Sequence, residues 1–331
     1  MRRVLRWIGG IVVGLVVAIM AAWCAGAFYY SGPGSSRTRA ILAIAFVVAT
    51  ALAFLLLPRR GWTLAGFLVA FAAVFAWWTL IPATNERNWQ AEVAVTPWVS
   101  QDGDRITIHG VRNFEYRTET DFIPHWEDRT YDLRELDSAD LIAVYWAGKA
   151  IAHIMVSFGF AGDRYVAVSI ETRKERGESY STLAGFFKQY ELVYVVGDER
   201  DVIRLRTNYR RDPPEDVYVF PLKGSMESAR RVFLDYIRDI NELHAKPRFY
   251  NTLTTNCTTM VLAHATVNPG HLPYSWKVLL SGYTPAYAYE QGRMDRSVPF
   301  EELKQRVHVN ARAQAADGAP DFSRRIRVAG P

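Results

Sequence analysis

Cys257 has the sequence surroundings of a reactive thiol. It follows a run of Asn and Thr residues that ends at Asn256, and an apolar helical stretch begins at Met260. A thiol at a helix N-terminus feels the positive end of the helix dipole, which favours the thiolate that attacks carbonyl carbon. Asn256 is a suitable N-cap for that helix. We predict that Cys257 is a nucleophile; the alternative is a small buried apolar residue, the usual role of a free cysteine.

A single histidine in an apolar, strand-like segment is the candidate general base. His153 lies in the run AIAHIMVSF, residues 150–158. A Cys–His pair moves the thiol proton to the imidazole and so generates the nucleophile. The alternative for His153 is a hydrogen-bonded core residue. His264, two helical turns after Cys257, is a second candidate for the base.

A catalytic histidine also needs a partner for its second ring nitrogen. Ser169 and Glu171 lie two residues apart in the next strand and therefore share one face of it. If that strand forms a hairpin with the His153 strand, one of the two can reach the imidazole. We predict Glu171, because a carboxylate stabilises imidazolium better than a hydroxyl does; the alternatives are a solvated strand-end charge or an ion pair with Arg173.

Further candidates for substrate binding are polar residues near these positions: Asn251, Asn256, Ser169 and Arg173. An oxyanion hole is expected from the backbone N–H of Cys257 and a side chain such as that of Asn251, whose alternative role is turn capping. Arg173, Arg206 and Arg210 are candidates for holding a phosphate or carboxylate headgroup, and solvated surface charge is the alternative.

The charge distribution separates an N-terminal region from the rest of the chain. The formal net charge is +5, yet no acidic residue precedes Glu86, and the charged residues before it are all arginines: Arg2, Arg3, Arg6, Arg37, Arg39, Arg59 and Arg60. The remainder of the chain is slightly acidic. A basic excess confined to the first part argues against nucleic acid as a ligand.

Three uncharged apolar stretches, Trp7–Tyr29, Ala40–Leu57 and Trp62–Ile81, are each about long enough to cross a bilayer. Most flanking arginines lie on the side of the N-terminus, which the positive-inside rule places in the cytoplasm. We predict a membrane anchor at 1–83 and a periplasmic Cys–His domain at 84–331 with a C-terminal wrapping segment. A cleaved lipoprotein signal ending at Cys24 is the alternative, but Trp23 is too large for the preceding position.

The pattern after residue 84 predicts an α+β domain. Strands are expected at Arg105–Tyr116, Leu141–Trp146, around His153 and Glu171, and at Glu191–Val196, Val202–Arg206 and Val217–Pro221; helices are expected at Thr182–Gln189 and Ser225–His244, the latter capped by Ser225. The histidines show no metal-ligand spacing, and no phosphate-binding or dinucleotide glycine motif is present, so no metal or cofactor is expected.

The order of a His strand, a polar strand and then a Cys at a helix start resembles the circularly permuted branch of the papain-like (NlpC-type) fold. Individual stretches resemble the Lnb N-terminal periplasmic domain family; they are Tyr131–Leu133, Ala152–Ile154, Ser157–Phe160, Ser169–Arg173, Tyr190–Tyr194, Tyr250–Thr252, Asn256–Thr258, Asp321–Ser323 and Ile326–Arg327. The resemblance implies a permuted papain-like domain, an antiparallel sheet with packed helices, in a periplasmic thiol enzyme. Its name-giving member resembles a transacylase that places an acyl chain on the N-terminal cysteine of lipoproteins.

The resemblance implies that Cys257 forms a thioester, His153 activates it and Glu171 orients His153. We therefore expect a cysteine-dependent acyltransferase or hydrolase, multi-pass in the bacterial inner membrane, that acts on a lipid or lipoprotein substrate. A cell-wall peptide amidase or peptidase with the same pair, and a non-enzymatic envelope module with a structural Cys257, are the alternatives. Three spans before the domain and none after it depart from the name-giving member and put the specific lipoprotein reaction in doubt.

Overall fold

The computed structural model describes residues 2–327. It has two compact units, one formed by Met1–Ala83 with Ser181–Tyr190 and the other by Thr84–Tyr180 with Glu191–Pro331. Residues 1 and 328–331, at the ends of the two predicted domains, lie outside the described residues.

Three apolar helices form the first unit: α1 (Arg2–Ser31), α2 (Ser36–Leu56) and α3 (Arg60–Leu80). Each is long and apolar enough to cross a membrane. Ser35 caps α2, and Pro58 stands in the break before α3. The three predicted spans therefore correspond to three helices.

The segment 181–190 packs within the same unit. The predicted helix at Thr182–Gln189 is only a single 3₁₀ turn, Ala184–Phe186. Lys188 has a φ of 55°, a left-handed conformation that ends helical structure, and its ammonium donates to the carbonyls of Trp78 and Thr79 at the end of α3. The prediction failed because the N–H groups of Phe186 and Phe187 bond to carbonyls three residues earlier, which makes a 3₁₀ turn, and Lys188 then ends it.

One mixed sheet organises the second unit. Its strands are β1 (Trp98–Asp102), β2 (Arg105–Arg112), β5 (Trp126–Asp132), β6 (Leu136–Tyr145), β7 (Ala152–Phe160), β8 (Arg164–Arg173), β9 (Glu191–Gly197) and β10 (Asp216–Pro221). The order is β1-β2-β9-β8-β7-β6-β10, with β5 also paired to β2. Only β2 and β9 pair in parallel, through Arg112 and Gly197. A separate hairpin joins β3 (Glu115–Tyr116) to β4 (Phe122–Ile123).

Helices cover both faces of this sheet. They are α4 (Glu199–Arg204), α5 (Met226–Ala245), α6 (Cys257–Ala265), α7 (Trp276–Leu279), α8 (Thr284–Glu290), α9 (Phe300–Arg306), α10 (Asn310–Ala315) and α11 (Phe322–Ile326). Ser225 caps α5 as predicted. On one face, Met155 of β7 belongs to a buried cluster with Ala313 and Phe322. On the opposite face, Phe158 of β7 contacts Phe233 of α5 with 4.9 Å between ring centroids.

The α+β class is confirmed, with three apolar helices followed by a sheet domain; the sheet is mixed rather than wholly antiparallel. The permuted papain-like assignment stays a prediction. The predicted strand at Val202–Arg206 is wrong: these residues lie in α4 and in a π-helical turn, Leu205–Tyr209. Asp198 caps α4 by accepting from the N–H of Arg200, and this local bond starts a helix where the apolar alternation indicated a strand.

Candidate active site

The site lies where two neighbouring strands separate. The β7–β8 ladder runs from Phe160 opposite Arg164 to Met155 opposite Ser169, and there it stops. Strand β8 continues along β9 through Glu171, whereas β7 continues along β6 through His153. The separation leaves the backbone of Ile154 without a partner on β8, while the side chain of His153 still reaches Ser169 and Glu171 of that strand. Helix α6 packs against both strands.

Cys257 is the first residue of α6 and is partly exposed. Asn256 is its N-cap, and the Asn256 Oδ1 accepts from the N–H groups of Thr258 and Thr259 at 2.9 Å. The hydroxyl of Thr259 accepts from the N–H of Asn256, which completes a capping box. The predicted helix start is therefore confirmed, and it fixes the thiol at the positive end of the helix.

The thiol of Cys257 and the imidazole of His153 line the same cavity and lie close enough for each to shift the pKa of the other. Burial by itself would raise the pKa of the thiol, but the charge of His153, its hydrogen bond and the N–H of Ile154 together lower it. Burial likewise opposes the imidazolium, yet Glu171 and the Cys257 thiolate raise the pKa of His153 to about 9. The opposite shifts both favour the thiolate–imidazolium form of the pair.

The second nitrogen of His153 meets both predicted partners. Its Nε2 lies 2.6 Å from Oγ of Ser169 and 3.1 Å from Oε1 of Glu171, and the Ser169 hydroxyl donates to the same Oε1 over 2.7 Å. Since that hydroxyl proton goes to Glu171, the Ser169 oxygen accepts from Nε2–H. Nε2 therefore carries a proton, and Nδ1 is the nitrogen left to face the thiol.

Glu171 is held ionised by a second cation. Burial by itself would raise the pKa of Glu171, but His153, Arg206 and the Ser169 hydroxyl together hold it well below its usual range. The Arg206 Nη2 lies 3.1 Å from Oε1 of Glu171, and its Nη1 lies 3.3 Å from Oε2 of Glu215. Arg206 is thus engaged on both sides, and its position in the π-helical turn brings it to the end of the sheet.

A cavity of about 390 Å³ opens onto the pair. Its walls are mixed. Polar and charged lining residues include Glu119, Lys174, Arg206, Arg210 and Glu215, and apolar ones include Trp146, Met155, Ile170, Leu205 and Tyr250. Throughout residues 2–327, no three His, Cys, Asp or Glu side chains converge as metal ligands. The arrangement can therefore supply a nucleophile, a base and a charged wall.

The other predicted binding residues are engaged in local structure. The Asn251 Oδ1 accepts from the N–H groups of Leu253 and Thr254 and so caps a turn. The Asn256 Nδ2 donates to the carbonyl of Thr252. Neither amide is among the residues that line the cavity. The alternative of turn capping thus describes Asn251.

Arg173 is almost wholly buried, 2% exposed, and lies under the ring of Trp89 at 4.3 Å. Its three nitrogens donate to the carbonyls of Val93 and Ala94 and to Oδ1 of Asn85. It therefore holds the segment before β1, and it does not pair with Glu171. Of the three arginines considered for an anionic headgroup, Arg206 and Arg210 line the cavity.

His264, the second candidate for the base, belongs to a different network. Its Nδ1 lies 2.8 Å from Oδ2 of Asp235, its Nε2 lies 2.6 Å from the hydroxyl of Tyr194, and the ring stacks on Tyr236 at 3.8 Å. It is 3% exposed and joins α6 to α5 and β9. The structure brings His153, not His264, to Cys257.

Residues 122–282 match the Lnb N-terminal periplasmic domain family. This confirms the resemblance over just under half of the chain, in a range that contains Cys257, His153, Ser169 and Glu171. Comparison with curated proteins and with solved structures returned no match. The family domain and the three apolar helices fit an inner-membrane protein that carries a periplasmic domain.

Proposed function

We propose that the protein is a membrane-anchored periplasmic cysteine enzyme that transfers or hydrolyses acyl groups through a thioester on Cys257. The observation that carries the proposal is that Cys257 and His153 line one cavity and that His153 is hydrogen-bonded to Ser169, which in turn donates to Glu171. A nucleophile, a base and an orienting carboxylate in hydrogen-bond contact are the parts that covalent acyl transfer requires.

In the proposed reaction the Cys257 thiolate attacks the carbonyl carbon of the substrate, and a carbon–sulfur bond forms while the π pair moves to oxygen. When that pair returns, the bond to the leaving group breaks, and the His153 imidazolium gives its proton to the leaving group. An amine or water then attacks the thioester, His153 removes its proton, and the thiolate is restored. Glu171 stabilises the imidazolium throughout.

An apolar cavity beside the nucleophile helix supports a lipid substrate. Its volume is about 200 Å³, and residues of α6, including Thr258, Val261 and Leu262, form part of its wall. Within the described part of the chain, this cavity shares no lining residue with the catalytic cavity, and Thr258, which follows Cys257 directly, is its lining residue nearest to the nucleophile in the sequence. A hydrocarbon chain suits such a lining because its burial removes apolar surface from water. The three apolar helices would keep the enzyme at a bilayer, where acyl chains are abundant.

The charged wall of the catalytic cavity favours a second candidate, an amidase or peptidase acting on cell-wall peptide. Glu119, Lys174 and Arg210 line this cavity. A peptide with free amino and carboxyl groups presents charges of both signs to such a wall. The residues that carry the chemistry are the same in both candidates, so the substrate distinguishes them.

The test is capture of the acyl-enzyme on the full-length protein with Cys24→Ala, so that Cys257 is the only thiol. The protein, in nanodiscs of diacyl phospholipid, is incubated with or without a cell-wall stem peptide and analysed by intact mass. We expect the mass of one fatty acyl group, removed by neutral hydroxylamine and absent in Cys257→Ser. A peptidyl adduct without the fatty acyl adduct would favour the amidase; no adduct in either arm would support a non-enzymatic module with a structural Cys257.

A further inference from the structure

Tyr250 lies in the wall of the catalytic cavity together with Cys257 and His153. It is 7% exposed, and its ring is held at the start of the loop that leads to α6. Burial, and next the negative charge of the Cys257 thiolate, raise the pKa of its phenol. The hydroxyl therefore keeps its proton across the working pH range and is available as a donor near the nucleophile.

The backbone N–H of Cys257 is a second donor at this position. As the first residue of a helix, Cys257 has no acceptor one turn earlier. The Asn256 side chain serves the next two N–H groups instead. Within residues 2–327, no backbone hydrogen bond engages the Cys257 N–H. A free N–H at the positive end of α6 suits the negative oxygen that forms when the adjacent thiolate attacks a carbonyl.

The side-chain amide of Asn251, which the sequence analysis proposed for the oxyanion hole, is not placed to donate there. Asn251 follows Tyr250 directly, but its Oδ1 is used by the turn at Leu253 and Thr254, and it does not line the cavity. At rest the Tyr250 hydroxyl has a replaceable partner, the side chain of Tyr180, which is half exposed. Rotation about the Cζ–Oη bond turns this donor away from Tyr180 and makes it available to a substrate oxygen in the cavity that Tyr250 lines.

We propose that the hydroxyl of Tyr250 and the backbone N–H of Cys257 form the oxyanion hole, so that Tyr250 is a catalytic residue. The inference rests on the proposed function, since an oxyanion arises only if Cys257 attacks a carbonyl. During attack the carbonyl π pair moves to oxygen, and the two donors hold that charge until the pair returns and the leaving group departs. No side-chain proton is transferred to the oxyanion, so the phenol donates a hydrogen bond and stays protonated.

The experiment compares two reactions of the same thiol in the full-length protein with Cys24→Ala. Alkylation by iodoacetamide proceeds by displacement at carbon and forms no oxyanion, whereas acylation by p-nitrophenyl octanoate does. Tyr250→Phe removes only the hydroxyl, and Tyr274→Phe, at an exposed position outside the cavity, is the matched control. We expect Tyr250→Phe to slow acylation about 100-fold, as loss of one oxyanion-hole donor does, with alkylation changed less than about threefold.

The outcomes distinguish a failure of the role of Tyr250 from a failure of the proposed function. Equal acylation rates for Tyr250→Phe and the unsubstituted protein would overturn the role of Tyr250 and leave the Cys257–His153 pair standing. A parallel loss of acylation and alkylation would also overturn it, because Tyr250 would then act on the thiol itself or on folding. Rapid alkylation without acylation of the unsubstituted protein would contradict the proposed function, and the inference would fail with it.

Discussion

The Nε2 of His153 lies closer to the hydroxyl of Ser169, at 2.6 Å, than to the carboxylate of Glu171, at 3.1 Å. Ser169 is 2% exposed and donates its own proton to Glu171. The imidazole is therefore oriented by a hydroxyl that is itself oriented by a carboxylate. The sequence indicated a choice between Ser169 and Glu171, and the structure uses both.

Ser169→Ala should weaken the orientation of His153 without removing it. The direct contact between Nε2 and Glu171 remains, so we expect thiol alkylation at pH 7 to fall about 10-fold, within the range of a single positioned hydrogen bond. Ser169→Thr, which keeps the hydroxyl, should recover most of the rate. If Ser169→Ala left the rate unchanged, the Ser169 hydroxyl between His153 and Glu171 would have no role in the reactivity of Cys257.

Glu171→Gln should shift the pH dependence of Cys257. The carboxylate helps to raise the pKa of His153 to about 9, so its removal lowers that pKa and takes away the cation that favours the thiolate. The thiol pKa then rises, alkylation at pH 7 falls about 30-fold, and the rates converge near pH 10, where a free thiol is ionised. Glu301→Gln, at an exposed position on α9, is the control. A profile like that of the control would contradict the role of Glu171.

Arg173 is expected to contribute to stability and not to substrate binding. Arg173→Met removes its bonds to Val93, Ala94 and Asn85, and we expect a loss of about 3 kcal/mol in the free energy of unfolding. Thermal unfolding measures the loss, and iodoacetamide alkylation below the transition should keep its pH profile. An unchanged melting temperature with a raised KM for an anionic substrate would instead support the binding role.

His264→Ala tests whether the second histidine near Cys257 takes part in its chemistry. The substitution leaves the buried Asp235 without one partner and should cost about 2 kcal/mol. Alkylation of Cys257 at pH 7 should stay within about threefold, since His153 is the base that touches the thiol. His308→Ala, on the surface, is the control for loss of a histidine. A loss of reactivity as large as that of His153→Ala would assign the base to His264.

The elements that carry the proposed site were predictable because local rules dominate there. The cap at Asn256 and the apolar run after it predict where α6 begins, and the apolar run around His153 predicts the strand that carries it. Ser169 and Glu171 are two residues apart, and this spacing predicts that their side chains lie on the same face of the strand. Each of these signals depends only on near neighbours in the sequence.

The features that the sequence did not reveal depend on distant contacts. Val202–Arg206 alternates like a strand, but Asp201 is buried against Arg112, and the consecutive residues Val202 and Ile203 both enter the buried cluster on one face of the sheet. Arg173 resembles a surface charge until Trp89 and the segment before β1 fold over it. Tyr250 could not be assigned as a hydrogen-bond donor from the sequence, because only the folded structure shows that it lines the catalytic cavity.

The most direct measurement is the rate of iodoacetamide alkylation against pH for the full-length Cys24→Ala protein, with and without His153→Ala. We predict rapid alkylation well below pH 8.5, the ordinary pKa of a free thiol, and a loss of at least about 30-fold at pH 7 when His153 is replaced. Slow alkylation in both proteins, rising only near pH 8.5 or above, would contradict the account and leave Cys257 as a structural residue.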